Sequence, residues 1–193
     1  MNKLYAFGCS YTYGNETSDW YHDESIPSKQ AWPSLLAARL NLECVNLSKS
    51  GASNDRIFKT ILTTIKSITQ DDMIGVMMTF PNRRLSIKGD LHLSTHTDYF
   101  LKYHSDELGS LNFIQNLYSI KHLLEQEGVP HFITLTDNRT FLETKKHFPQ
   151  YKISSKDIIM GPGLGFFKDV GNLRHPNDSG HIKICDYLFD SLN

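Results

Sequence analysis

The chain has 193 residues, a formal net charge of −1 at pH 7, 39% hydrophobic residues and 21% charged residues. This length and composition are typical of one globular domain, and they exclude a disordered or membrane-embedded chain. The charge is near zero and basic residues form pairs at most, such as Arg83-Arg84, so neither nucleic acid nor an anionic membrane is indicated as a partner.

Three widely spaced cysteines, Cys9, Cys44 and Cys185, form neither a disulfide framework nor a metal-ligand pattern. Unpaired thiols favour a reducing compartment. No apolar run reaches membrane-spanning length, and the first residues lead straight into a strand without a signal-peptide pattern. We therefore expect a cytoplasmic protein; nothing in the sequence specifies its oligomeric state.

The first half of the chain alternates predicted strands and helices. An apolar run that ends at Gly8 predicts a buried first strand, and the polar residues 15–28 predict a loop. A helix is expected to open at Pro27 or Ser28 and to carry an apolar stripe up to residue 40. A second strand at 42–47 is followed by a helix capped by Ser53, Asn54 or Asp55. The continuous apolar run 73–80, stopped by Pro81, predicts a central parallel strand.

The second half repeats the alternation after an irregular segment. Residues 82–110 lack a clear period and predict an insertion or lid. Helices are expected at 111–127, where Gly128 provides a C-cap, at 141–147 and at 179–192, with a strand at 129–135 and a small element at 153–160. Alternating strands and helices predict a single α/β domain over 1–193, with a parallel sheet covered on both faces.

Right-handed crossovers bring the strand-to-helix loops to the carboxyl edge of such a sheet. Ser10, Gly51, the residues after Thr79 and the loop after Leu135 all emerge there. Taken alone, the segment around Ser10 fits an ordinary polar loop as well as a nucleophile. His175, on the loop entering the last helix, supplies a candidate base, and the backbone N–H groups of Ser10 and Gly51 can stabilise an oxyanion.

Three segments together carry a family resemblance. Gly8-Cys9-Ser10-Tyr11-Thr12-Tyr13-Gly14, the run 46–54 around Gly51, and His175-Pro176-Asn177 followed by Gly180-His181 resemble, in order and spacing, blocks of the SGNH/GDSL hydrolase superfamily. The resemblance implies a three-layer α/β/α sandwich with a mostly parallel, flavodoxin-like sheet. It also implies hydrolysis of small-molecule carboxylic esters by Ser10 and His175, without a cofactor or metal.

Two departures concern the first and third blocks. Cys9 stands where the family usually has aspartate, as in a subgroup that reads Gly-Cys-Ser. Cys9 is itself a possible nucleophile, but a thiol after a buried strand is more often inert packing. The family's third-block asparagine, an oxyanion-hole donor, has two candidate replacements: Thr79 keeps its position and Asn82 keeps its chemistry. We favour Asn82.

The last block differs most from the family pattern. Asn172 stands three residues before His175, where the family has the triad aspartate. An asparagine can hold the imidazole tautomer but cannot stabilise the imidazolium by charge, a loss of up to ~10⁴ in rate in a Ser-His-Asp triad. Asp169 or Asp178 can substitute if the loop folds suitably. A second register pairs Asp178 with His181; we favour His175 because His181 lies inside the predicted helix.

Other residues are weaker candidates. Arg83, Arg84 and Tyr11 are possible substrate-binding residues. His92 and His96 have a metal-compatible spacing without helix support, so we interpret them as loop histidines and expect no metal site. The sequence therefore predicts a serine-dependent acyl hydrolase. The alternatives are a catalytically weak or inactive binding or structural protein with the same fold, and an acyltransferase that uses the same residues.

Overall fold

A computed structural model describes residues 2–20, 25–86, 89–92, 98, 102, 104–151, 158–160 and 175–193. Of residues 86, 91 and 92 only the backbone is described. The strands are β1 (Lys3–Phe7), β2 (Glu43–Asn46), β3 (Met73–Met78), β4 (Arg83–Ser86), β5 (Gly89–His92) and β6 (His131–Leu135). The helices are α1 (Ser10–Tyr13), α2 (Trp32–Arg39), α3 (Asn54–Thr64), α4 (Asp106–Glu127), α5 (Asn138–His147) and α6 (Asp178–Leu192), with a 3₁₀ turn at Ile65–Ser67.

Four parallel strands form the central sheet in the order β2-β1-β3-β6. Strand β1 lies in the middle, where Ala6 pairs with Asn46 on one side and Gly75 on the other. The order reverses at β1, so a crevice opens outside the carboxyl ends of β1 and β3, which is where ligands bind in open α/β sheets. Ser10 follows β1 directly and lies at this crevice.

Helices flank the sheet, as the sequence predicted. Helix α2 packs on α6, and α4 packs on both α3 and α5, which gives two separate helical groups. The side chains of β1 and β3 are almost entirely buried between them, as expected for strands covered on both faces. The predicted α/β class with a mostly parallel, flavodoxin-like sheet is confirmed.

Three helix starts differ from the prediction. Helix α5 begins at Asn138 rather than at 141, because the Asp137 side chain caps it by accepting from Arg139 N. Helix α2 begins at Trp32 rather than at Pro27 or Ser28, because the Ser28 hydroxyl and the Lys29 N–H both bind the Asp19 carboxylate and hold this segment in a turn. Helix α4 begins at Asp106 rather than at 111. The Ser105 side chain accepts from Leu108 N at 3.1 Å, and two acidic residues in the first turn favour the positive end of the helix dipole.

Part of the irregular segment 82–110 forms an antiparallel hairpin of β4 and β5, in which Arg83 pairs with His92. The hairpin is attached to the start of α3, since Asp90 Oδ1 accepts from both Ser53 N and Ser53 Oγ, and Asp90 Oδ2 accepts from Arg56 Nε. The interpretation of residues 82–110 as an insertion or lid stays a prediction.

In the described part of the chain, no helix combines the length and the apolar character that crossing a membrane requires.

Candidate active site

The segment Gly8 to Gly14 forms a one-turn helix directly at the carboxyl end of β1. Ser10 is the first residue of α1, and Thr12 and Tyr13 both donate their N–H groups to Cys9 O at 2.9 Å. A Cβ at position 8 would lie 2.0 Å from Thr12 Oγ1, so only glycine lets the turn fold back onto the strand end. This contact explains the Gly-x-x-x-Thr spacing around the serine.

Gly14 ends α1 in the left-handed conformation, with φ of 91°. A side chain there would also meet Ser28 and Ala31, because a Cβ would lie 2.5 and 2.8 Å from their Cβ atoms. Glu16 follows with φ of 70° and is one of two non-glycine residues with positive φ in the described part of the chain. The turn is fastened by the Thr17 hydroxyl, which donates to Gly14 O at 2.6 Å. The chain therefore reverses and returns the Glu16 side chain to the interior.

His175 and Ser10 meet although 165 positions separate them. His175 Nε2 lies 3.0 Å from Ser10 Oγ, a hydrogen-bond distance. The Ser10 residue is 2% exposed, and the His175 side chain is 19% exposed. The Tyr11 ring stands edge-on to the imidazole, with the centroids 5.3 Å apart. A hydroxyl and an imidazole thus lie together at the rim of the sheet crevice.

His175 is biased toward its neutral form. Burial lowers the pKa of its imidazole below the ordinary 6.5, and the Arg83 guanidinium lowers the pKa further. The Glu16 carboxylate opposes both effects without reversing them. A neutral imidazole can accept a proton near pH 7, which is what a general base requires.

Glu16 is the site residue that sequence reasoning missed. Its side chain is fully buried, its Oε2 accepts from His175 N at 2.8 Å, and the same oxygen lies 3.4 Å from His175 Nδ1. The latter distance is within ion-pair range but too long for a good hydrogen bond. The signal available in the sequence was a carboxylate two residues after the glycine that ends the first motif.

Gly51 lies on a loop that contacts the serine turn. Lys49 donates its N–H to Gly8 O at 3.2 Å, and Asn15 Nδ2 donates to Ser50 Oγ at 2.9 Å. Gly51 itself has φ of 76°. Within the described residues, the N–H groups of Ser10 and Gly51 donate no hydrogen bond.

The two candidates for the third oxyanion donor differ in accessibility. Thr79 is 1% exposed, its backbone N–H and C=O both bind the Asn54 side chain, and its hydroxyl accepts from Arg83 Nη1 at 3.0 Å. The Asn82 side chain makes no hydrogen bond with the described residues and lines a cavity of about 300 Å³. The other lining residues are Phe80, Pro81, His104, Asp106, Gly109, Ser110, Asp137, Arg139, Thr140 and Glu143.

The rival pair, His181 and Asp178, is held in other contacts. His181 is 0% exposed, and its Nδ1 accepts from Trp32 N at 3.2 Å at the start of α2. Asp178 Oδ1 accepts from Ser18 N at 2.9 Å. His181 is therefore a buried core histidine in the first turn of α6. Asp178 connects the turn around Glu16 to the start of the same helix.

The remaining predicted residues have structural contacts or lie outside the described part. Arg84 Nη2 donates to Leu108 O at 3.1 Å and joins the hairpin to α4. Cys9 is 0% exposed, and its Sγ lies 3.9 Å from Thr136 Oγ1. Asn172, Asp169 and His96 lie outside the described residues, as does the His92 side chain. Among the described residues, no group of His, Cys, Asp and Glu side chains is arranged to hold a metal ion.

Comparison with known proteins gives structural neighbours only. No family profile matches the chain, and no curated protein matches it by sequence. A solved lipase, Lip_vut3 from a goat rumen metagenome, is 15% identical with a TM-score of 0.63, over 99% of this chain and 97% of that one. The esterase EstA from Pseudoalteromonas sp., in a structure inhibited by monoethylphosphonate, is 15% identical with a TM-score of 0.59, over 100% and 97%.

A third neighbour carries the family name. A protein of the G-D-S-L family from Desulfitobacterium hafniense DCB-2, described as lipolytic, is 11% identical with a TM-score of 0.59, over 98% of this chain and 99% of that one. Sequence identities as low as these support a likeness of fold only. The chain shares the fold of these three hydrolases over its full length.

Proposed function

We propose that the protein is a serine-dependent hydrolase of small carboxylic esters and a member of the SGNH/GDSL superfamily. The single observation that carries the proposal is the 3.0 Å contact between Ser10 Oγ and His175 Nε2. These residues occupy the first and last blocks of the motif resemblance and meet at the crevice where this fold binds ligands. The esterase and lipase neighbours support the same reaction class.

The proposed reaction begins with neutral His175. As Ser10 Oγ bonds to the acyl carbon, its proton moves to His175 Nε2. The imidazolium then gives this proton to the alcohol oxygen as the ester C–O bond breaks, which leaves an acyl-Ser10 intermediate. In the second half, water attacks the acyl carbon as it gives a proton to His175 Nε2. The bond from the acyl carbon to Ser10 Oγ then breaks, the imidazolium returns the proton to Ser10 Oγ, and the acid is released. An acyltransferase would differ only in the acceptor that replaces water.

The oxyanion formed in each addition step needs donors that are not already engaged. We assign this role to the backbone N–H groups of Ser10 and Gly51, with the Asn82 amide as the third donor. Asn82 is preferred because its side chain is accessible from the cavity, whereas the Thr79 hydroxyl is buried and bound by Arg83. Removing one such donor typically costs about 10²–10³ in kcat. A loss for Asn82→Ala, with activity retained in Thr79→Val, which removes the hydroxyl and keeps the side-chain shape, is the expected pattern.

The cavity beside Asn82 supports a small, polar substrate group. The cavity of about 300 Å³ is lined in part by the charged residues Asp137, Arg139 and Glu143, which favours a polar substrate group; none of Ser10, Gly51 and His175 lines it. Phe80, which lines this cavity, also contacts Tyr11, with the two ring centroids 6.1 Å apart. The proposal therefore includes short-chain or hydroxyl-rich esters; the cytoplasmic location stays a prediction.

The test is labelling with a fluorophosphonate probe together with hydrolysis of short p-nitrophenyl esters. The parent protein should be labelled and active, and Ser10→Ala should lose both properties. Ser67→Ala, on the exposed 3₁₀ turn, is the matched control and should behave like the parent. A parent protein that neither labels nor hydrolyses any short ester between about pH 5 and pH 9 would favour the non-catalytic alternative.

The choice of base is tested separately. His175→Ala should abolish ester hydrolysis in a protein that still unfolds cooperatively. His181→Asn keeps an acceptor near the Trp32 N–H and should retain activity at neutral pH. The reverse pattern, in which only His181→Asn is inactive, would refute the assignment.

A further inference from the structure

We propose that Glu16 is the positioning acid of this site, orienting His175 and stabilising the imidazolium in place of the aspartate that the sequence lacks at position 172. This inference rests on the proposed function. It moves the acid from the loop before His175 to the turn after the nucleophile. The positioning acid and Ser10 then belong to the same short segment.

The carboxylate is held at the correct nitrogen. Ser10 contacts Nε2 at 3.0 Å, and Glu16 Oε2 lies 3.4 Å from the opposite nitrogen, Nδ1. With its proton on Nδ1, the imidazole points an N–H toward the carboxylate and a lone pair toward the serine. Catalytic hydrogen bonds are often long without substrate and shorten in the complex.

The position of the carboxylate is built into the fold rather than left to a mobile side chain. Glu16 Oε2 accepts from His175 N at 2.8 Å, so the acid is already bound to the residue it serves. Two positions further on, Ser18 N donates to Asp178 Oδ1 at 2.9 Å. These two contacts fasten the turn 14–18 to the segment 175–178. The positive φ of Glu16 is an unfavourable backbone conformation for a residue with a side chain, and the surrounding contacts must stabilise it.

Burial makes the charge effective. The Glu16 side chain is fully buried, where its field is screened less than at the surface. Among the described residues, the other charge that acts on His175 is the Arg83 guanidinium, from β4. It disfavours the imidazolium, so Glu16 is the described neighbour that stabilises the proton His175 carries between the two half-steps.

The same carboxylate has a structural duty, as the acceptor for His175 N. Glu16→Gln separates the charge from this duty, because the amide oxygen can still accept that N–H and still face Nδ1, while the negative charge is lost. We expect Glu16→Gln to unfold like the parent and to lose about 10²–10⁴ in kcat, with little change in KM. Glu16→Asp, which keeps the charge on a shorter side chain, should recover part of this loss.

A second readout requires no substrate. The pKa of His175, followed by ¹⁵N NMR and assigned with His175→Ala, should change in Glu16→Gln. Glu16 raises the His175 pKa in the parent, so its neutralisation should shift that pKa downward. Glu107→Gln, at an exposed position in the first turn of α4, is the matched control and should leave His175 unchanged.

The outcomes separate this inference from the proposed function. Parent-like kcat and a parent-like His175 pKa in Glu16→Gln would overturn it and leave Glu16 as a backbone acceptor only. A large kcat loss for Asn172→Ala with none for Glu16→Gln would overturn it in favour of the family position. A parent protein without esterase activity refutes the proposed function, and the NMR measurement still decides whether Glu16 controls His175.

Discussion

His181 should make the folded protein sensitive to mild acid. Burial lowers the pKa of its imidazole from 6.5 to about 4, because no water reaches the ring and its neighbours Asp178 and Asp19 oppose the shift only in part. Its Nδ1 accepts the Trp32 N–H, so protonation of that nitrogen would also break this bond. The unfolded chain, whose histidine has an ordinary pKa, therefore binds the proton first as the pH falls.

The size of the effect follows from linkage. A group with a depressed folded pKa contributes stability above its unfolded pKa and loses it as the pH falls toward its folded pKa. For an unfolded pKa of 6.5 and a folded pKa of about 4, the loss between about pH 7 and pH 5 is about 2 kcal/mol. That is a substantial part of the stability of a domain of this size.

The assay is urea unfolding of the parent and of His181→Asn at several pH values between about 5 and 7.5, followed by circular dichroism. The variant loses side-chain volume, which lowers its stability at every pH by a similar amount. Its stability should therefore be lower at neutral pH, but should fall about 2 kcal/mol less than that of the parent on acidification. Parallel pH profiles for the two proteins would refute the reasoning.

Three further predictions concern the site and its supports. In ester hydrolysis, the acidic limb of the pH profile of kcat/KM should have its midpoint below pH 6.5. Arg83→Gln should move that midpoint upward, because the guanidinium lowers the His175 pKa. An unmoved midpoint would contradict the assigned cause. Asn54→Ala should destabilise the protein by about 2–4 kcal/mol in denaturant unfolding, since it leaves the buried Thr79 N–H and C=O without their partner. A loss below about 0.5 kcal/mol would contradict the importance of these two bonds. Asp90→Ala should speed amide hydrogen exchange in β4 and β5 without changing exchange in β3, because it removes the Asp90 link to the start of α3 and leaves the bond from Leu85 N to Asp55; equal rates in both proteins would show that the remaining contacts hold the hairpin.

The alternation of apolar runs and polar breaks was sufficient to predict the sheet, because each run records the burial of its own strand or helix. The same logic put Ser10 and Gly51 at one edge, since parallel strands share the side on which their loops emerge. His175 became a candidate through its place on the loop that enters the last helix. Errors fell at the helix starts. At α2, the local signal for a start at Ser28 was overridden by Asp19, which binds the Ser28 and Lys29 groups in a turn.

The partner of His175 was decided by tertiary structure. The sequence directed attention to residues near His175 in the chain, yet Glu16 lies 159 positions away. Its approach depends on the left-handed turn at Gly14, the positive φ of Glu16 itself and the tie between Ser18 and Asp178. Short-range patterns specify which residues form strands and helices, because those elements are stabilised locally. Which buried carboxylate meets which imidazole depends on how two loops from opposite ends of the chain pack, and that is settled only when the fold closes.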